Sequence, residues 1–216
     1  MDTKRPIHGF TLVEMILVVI ALAVVIGMQL PAPTHNREPA ARVYCRNNLN
    51  QLAKGMATYL NEYGDNRWYP CPLGRGAAPV VYTGAEWLAS LYWTGVVPHA
   101  EVFLCPPSGD TNHDGFDLGA SRVPPGGLAP EAVSYAGMHY GSNTAEPGAI
   151  AEDYPPNKPM ACDDTQGDIN HGTQHCGGMA ILFFDSHVEF RTNTELDLEH
   201  AVGDTSPDAL LRALSN

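Results

Sequence analysis

Four sets of residues have the types and spacing to do chemistry. In the first, Asp110, Asn112 and Asp114 alternate, Gly115 follows, and Phe116 and Asp117 close the run. Alternation gathers side-chain oxygens around one point, glycine permits a sharp turn, and the seventh position offers a carbonyl. That is the first half of an EF-hand-type calcium loop. The twelfth position is Ser121 instead of Glu, so Asp117, or a distant acid such as Asp163 or Asp164, would have to complete the shell. Asp, Asn and Gly also build ordinary turns, and both readings stay open. In the second set, His171, His175, Cys176, Asp185 and His187 are metal-ligand types within 17 residues. Gly172, Gly177 and Gly178 oppose a helix that would align them, and zinc sites show tighter Cys and His pairs. A structural role fits better, with His175 hydrogen-bonding across a hairpin and Asp185 fixing its turn. The third set is five cysteines: Cys45, Cys71, Cys105, Cys162 and Cys176. Two bridges with one thiol left over allow fifteen arrangements, and buried small residues are the alternative. The fourth is a single carboxylate, Glu14, inside a strongly apolar run. Nucleophile elbows, phosphate loops and dinucleotide fingerprints are absent.

These residues sit in a chain of 216 with 44% hydrophobic content, enough for a real core. One domain, or one domain plus an appendage, fits that length. Twelve bases face 24 acids, for a net charge of −12. Residues 101–216 hold 18 of those acids and four bases: Arg122, Lys158, Arg191 and Arg212. Phosphate contacts need Lys and Arg, so a nucleic-acid partner is disfavoured. The acidic half would repel anionic lipid and could hold a divalent cation.

The apolar run is Phe10 to Leu30, FTLVEMILVVIALAVVIGMQL. As a helix it would span roughly 31 Å, about one bilayer core. A secretory signal should end in a small-residue cleavage pattern, and MQLPAPTHN is a poor match. A plain anchor has no need of Glu14, since a carboxylate costs roughly 2.5–3.5 kcal/mol at mid-bilayer. Gly9-Phe10-Thr11-Leu12-Val13-Glu14, after a short basic leader with Lys4 and Arg5, resembles the type IV prepilin and type II secretion pseudopilin signature. The resemblance implies a leader of residues 1–9 removed by a prepilin peptidase between Gly9 and Phe10, and N-methylation of Phe10. It implies a transmembrane assembly helix over 10–30 and an extracytoplasmic globular domain over 31–216. Glu14 would neutralise the ammonium of a neighbouring subunit's Phe10, because opposite charges attract strongly where the dielectric is low.

Pro31 and Pro33 should break the helix. Pro39 to Tyr63 then predicts an amphipathic helix, with Val43, Leu49, Leu52, Met56, Leu60 and Tyr63 apolar and Gly64 as its stop. Arg46, Asn47, Asn48, Gln51 and Lys54 are expected to face water or neighbouring subunits. TGAEWLASLYWT reads as a short helix with Thr83 as N-cap and Glu86 three residues later. Residues 108–130 and 143–160 read as irregular. Val133–Tyr140 and Met179–Phe184 read as strands, the latter turning at Asp185-Ser186 and returning over 187–190 as a hairpin. Ser206 should cap a final helix, 207–214.

The segment from His175 to Asp185 resembles the H-X9-DG motif of planctomycete-type prepilin-like proteins, with Ser186 where that family usually has Gly. Cys45-Arg46-Asn47-Asn48-Leu49-Asn50-Gln51 and Phe103-Leu104-Cys105-Pro106 resemble other segments of that family. Together these resemblances imply an α+β, pilin-like fold, with a long N-terminal helix on a small antiparallel sheet and long loops. They imply a structural subunit, major or minor, of a pilus-like or pseudopilus filament and no enzyme. Its partners would be prepilin peptidase, like subunits and the inner membrane, and its destination a surface filament. Related pseudopilins often hold calcium in a C-terminal loop. The alternatives are a non-polymerising, membrane-anchored extracytoplasmic binding module for a ligand such as carbohydrate, and an anchored metallohydrolase using the 171–187 cluster.

Overall fold

The computed structural model describes residues 11–28, 37–70, 82–120, 128–138, 155–163, 177–192, 211 and 214–215. The chain divides into two compact units, residues 1–37 and 38–216.

The first unit contains α1, Leu12–Met28. Seventeen residues give about 25 Å, against about 30 Å for a hydrocarbon core. Among the described residues no helix is long and apolar enough to cross a membrane. Phe10, Gln29 and Leu30, the ends of the expected 10–30 helix, lie outside the described residues.

The second unit is α+β. Its long helix, α2, runs over Arg37–Glu62, close to the expected 39–63. Cys45, Leu49, Leu52, Met56, Tyr59 and Leu60 are buried at spacings of three and four, the signature of one helix face. Val43 does not belong to that face and is 60% exposed; it lies two residues, about 200°, from Cys45. Tyr63 is also exposed, beyond the helix end, and packs its ring on Tyr59 at 5.6 Å. Asn48, expected outside, is buried, because it lies between Cys45 and Leu49 on the core side.

Helix α3, Gly84–Trp93, starts in the expected capping box: Thr83 Oγ1 accepts from Glu86 N, and Thr83 N donates to Glu86 Oε2 at 2.9 Å. Trp87, Leu88 and Leu91 are fully buried. A 3₁₀ turn follows at Ala100–Phe103. Residues 113–120, expected to be irregular, form a 3₁₀ turn, His113–Gly115, and the five-residue helix α4, Phe116–Ala120. Trp93 fixes α4 by donating Nε1–H to Leu118 O at 2.6 Å.

The sheet is antiparallel, in the order β4-β3-β2-β1-β5. Its strands are β1 (Tyr135–Met138), β2 (Pro159–Asp163), β3 (Gly178–Phe183), β4 (Val188–Thr192) and β5 (Leu214–Ser215). Strands β1, β3 and β4 stand where their apolar runs predict them. Strand β2 begins at the end of the 143–160 stretch that reads as irregular and was not expected, since its first residue is a proline. Pro159 sits beside a register shift, one of the few places a strand accepts it, and all five residues are buried, so no alternation marks them. The expected final helix fails at its end. Leu214 and Ser215 pair with Met138 and Gly137, completing the edge of β1. Residues 207–210 lie outside the described set.

Helix α3 packs on β1 where Gly137 has no side chain: a Cβ there would fall 2.6 Å from Gly84 O and 2.9 Å from Leu88 Cγ. Gly55 plays the same part for α2, since its Cβ would lie 2.5 Å from Val97 and 3.3 Å from Leu91.

Candidate functional site

The residues with candidate chemistry fall in four places. Gly9 and Phe10 lie outside the described residues; Glu14 is in the first turn of α1. Thr11 N donates to Glu14 Oε2 at 2.9 Å, Thr11 Oγ1 donates to the same oxygen at 2.9 Å, and Glu14 N donates to Thr11 Oγ1 at 3.3 Å. This reciprocal arrangement is a capping box that satisfies two of the helix's orphan N–H groups. Glu14 therefore has an intrachain role that the sequence reading missed. The signal was present, as T-x-x-E, the same pattern that marks Thr83 and Glu86. The apolar side chains of α1 over residues 12–25 are exposed, with Leu12 at 75%, Leu17 at 61% and Val19 at 59%.

The 110–117 segment is built as a turn. Asn112 is buried; its Nδ2 donates to Ala100 O at 2.8 Å and its Oδ1 accepts from Gly115 N at 3.3 Å. Its carboxamide thus caps the 3₁₀ turn and ties it to the 100–103 turn. His113, Asp114 and Gly115 all have positive φ, and Asp and His tolerate that region better than most residues. His113 Nδ1 lies 2.6 Å from Asp117 Oδ2, and this hydrogen bond, with the Asp117 charge behind it, raises the His113 pKa above its ordinary value. The Asp110 backbone N–H donates to the Ser108 hydroxyl oxygen at 3.1 Å, and Phe116 is exposed. The carboxylates of Asp110, Asp114 and Asp117 do not converge on a common point among the described residues. The geometry identifies no calcium.

At the β3–β4 hairpin, His171, His175 and Cys176 lie outside the described residues, and Asp185 and His187 meet. Asp185 Oδ1 accepts from His187 N at 3.1 Å and makes a short contact with His187 Nδ1. Those two bonds hold the Asp185 carboxyl below its ordinary pKa. The His187 ring stacks on Phe183 at 4.3 Å. Asp185 thus fixes the turn, as its position predicts. Ser186 N donates to Phe183 O, Phe183 N donates to His187 O, and Ser186 adopts φ 70°. This is a three-residue hairpin loop whose last position is left-handed. The glycine of the H-X9-DG pattern has a physical reason at that position, and Ser186 departs from it.

The fourth place is the buried junction of α2 with the 100–105 segment. Cys45 and Cys105 form a disulfide, with Cα atoms 5.2 Å apart. Cys162 is buried in β2; Cys71 and Cys176 lie outside the described residues. Beside the bridge, Asn48 Nδ2 donates to Leu104 O at 2.8 Å, and the hydroxyl of buried Tyr135 reaches the same carbonyl at 3.4 Å. Burial, then the nearby Asp163 charge, push the Tyr135 pKa well above its ordinary value. Asp163 is itself buried and accepts from Ala180 N at 2.9 Å. The two sulfurs and an Asp163 oxygen lie within 4.8 Å of one another. That donor set suits a thiophilic metal, but a bridged pair of sulfurs offers no thiolate.

No family model, curated protein or solved structure matches the chain.

Proposed function

We propose that the chain is a prepilin-like structural subunit of a pilus-like or secretion-pseudopilus filament. In this reading a prepilin peptidase cuts after Gly9, Phe10 becomes the N-methylated terminus, and the 10–30 segment anchors the chain in the inner membrane before assembly. The observation that carries the reading is the sequence Gly9 to Glu14 leading into an apolar helix, α1, whose side chains over residues 12–25 are exposed. Apolar surface left in water costs about 25 cal/mol per Å², so such a helix calls for lipid or like helices around it. The protein's work is assembly without catalysis. Apolar packing and the pairing of Glu14 with a neighbour's terminal ammonium together offset extraction from lipid. The α+β architecture, with α2 as its long helix, agrees with a pilin head.

One observation favours a second reading, a membrane-anchored binding module that never polymerises. The capping box with Thr11 gives Glu14 a reason to exist within one chain. The deciding experiment measures the N-terminal residue and its mass on protein from its native membrane or surface fraction, beside a Glu14→Ala strain. The filament reading expects N-methyl-Phe10, and a Glu14→Ala chain that is processed but missing from sheared filaments. An intact Met1, or a cut beyond Pro31, refutes it. Normal processing with no filament in either strain selects the anchored module.

A further inference from the structure

The side of α2 away from the core carries Asn47, Asn50, Gln51 and Lys54, at spacings that place them on one helical face. Where this face meets the β3–β4 turn, the four residues and Ser186 line a concavity of about 480 Å³, with Ala53 and Ala57 as its apolar lining. Three features set it apart from an ordinary solvated face. It is concave, and large enough for a sugar unit with room beyond. Its five polar side chains make no hydrogen bonds or ion pairs among the described residues, so three carboxamides, an ammonium and a hydroxyl are available together. Among the described residues its lining has a cation and no carboxylate, in a chain with twice as many acids as bases. The nearest acid in sequence, Asp185, is engaged by His187.

We propose that this groove binds an acidic saccharide, taking a uronate unit. Carboxamides both donate and accept, which suits vicinal hydroxyls; an ammonium suits a carboxylate; and the two alanine methyls suit the C–H face of a pyranose ring. The groove lies wholly within residues 38–216 and does not depend on how the N-terminus is processed or assembled.

The test uses the full chain in detergent micelles, with calorimetric titration of a galacturonic acid trisaccharide and, as its neutral counterpart, a galactose trisaccharide. The acidic sugar is expected to bind saturably, the neutral one at least tenfold more weakly. Lys54→Met should weaken the acidic sugar about tenfold or more, since a charge-assisted hydrogen bond is lost. Asn50→Ala combined with Gln51→Ala should weaken both sugars, and added salt should weaken only the acidic one. All three substituted positions are on the helix surface, and unchanged melting of the variants confirms that the fold is kept. The proposal is overturned by absence of saturable binding at about 10 mM acidic sugar, by equal affinity for both sugars, or by wild-type affinity in Lys54→Met.

Discussion

Ser186 occupies a left-handed position that a serine side chain opposes, and replacing it with glycine should stabilise the protein. Its φ of 70° ends the three-residue loop between β3 and β4. A left-handed residue with a Cβ costs roughly 1–2 kcal/mol. Glycine removes that cost but brings a larger backbone entropy loss on folding, roughly 0.5–1 kcal/mol relative to alanine. The difference leaves about 0.5–1 kcal/mol in favour of Ser186→Gly. For a unit of this size 1 kcal/mol moves the melting temperature by about 2–4 °C, so a rise of about 1–4 °C is expected. Ser186→Val should fall instead, because a β-branched side chain is least tolerated at positive φ. Thermal unfolding followed by circular dichroism reads both variants. A Ser186→Gly protein no more stable than the wild type, beside an unimpaired Ser186→Val, would refute the argument. It would mean that this loop does not hold a left-handed residue.

Other consequences follow from the same geometry. The Cys45–Cys105 bridge closes 60 residues, so the double variant Cys45→Ala/Cys105→Ala should lose about 2–4 kcal/mol, read as a lower denaturant midpoint. Asn48→Ala leaves the Leu104 carbonyl short of its better donor and should cost about 1–3 kcal/mol, with a comparable drop in midpoint. The His113 pKa is raised, so its pairing with Asp117 stabilises fully below about pH 6.5 and fades as pH climbs through the folded-state value. Proton NMR should find His113 titrating above its ordinary value in the wild type and back near it in Asp117→Asn. Because Asn112 is occupied in capping, the melting temperature is expected to be the same with calcium and with a chelator. A calcium-dependent rise would restore the loop reading of residues 110–117.

Local physics made several elements legible in the sequence. The α3 capping box, the amphipathic run of α2, and the apolar β3 strand with its turn and return each depend on residues within a few positions of one another. The bond from Asp185 to the His187 amide is of the same kind. The Thr11–Glu14 box is equally local, since T-x-x-E sets the two partners three residues apart. What the sequence alone determined was α2, α3 and the strands β1, β3 and β4, and where chemistry could lie. Only the tertiary structure decided the rest, because those outcomes turn on surfaces brought together from far along the chain. Asn48 is inside because the carbonyls of Glu101 and Leu104 come to it across more than 50 residues. Leu214 is extended because β1 offers it an open edge, and local helix propensity is weak against a ladder of hydrogen bonds. Five cysteines allow many pairings, and the packing of α2 against the 100–105 segment selected Cys45 with Cys105. Asn112 turned inward to Ala100 because a buried carboxamide must find partners, and that need, invisible in the spacing of acids, made a turn of a segment that also reads as half a calcium loop.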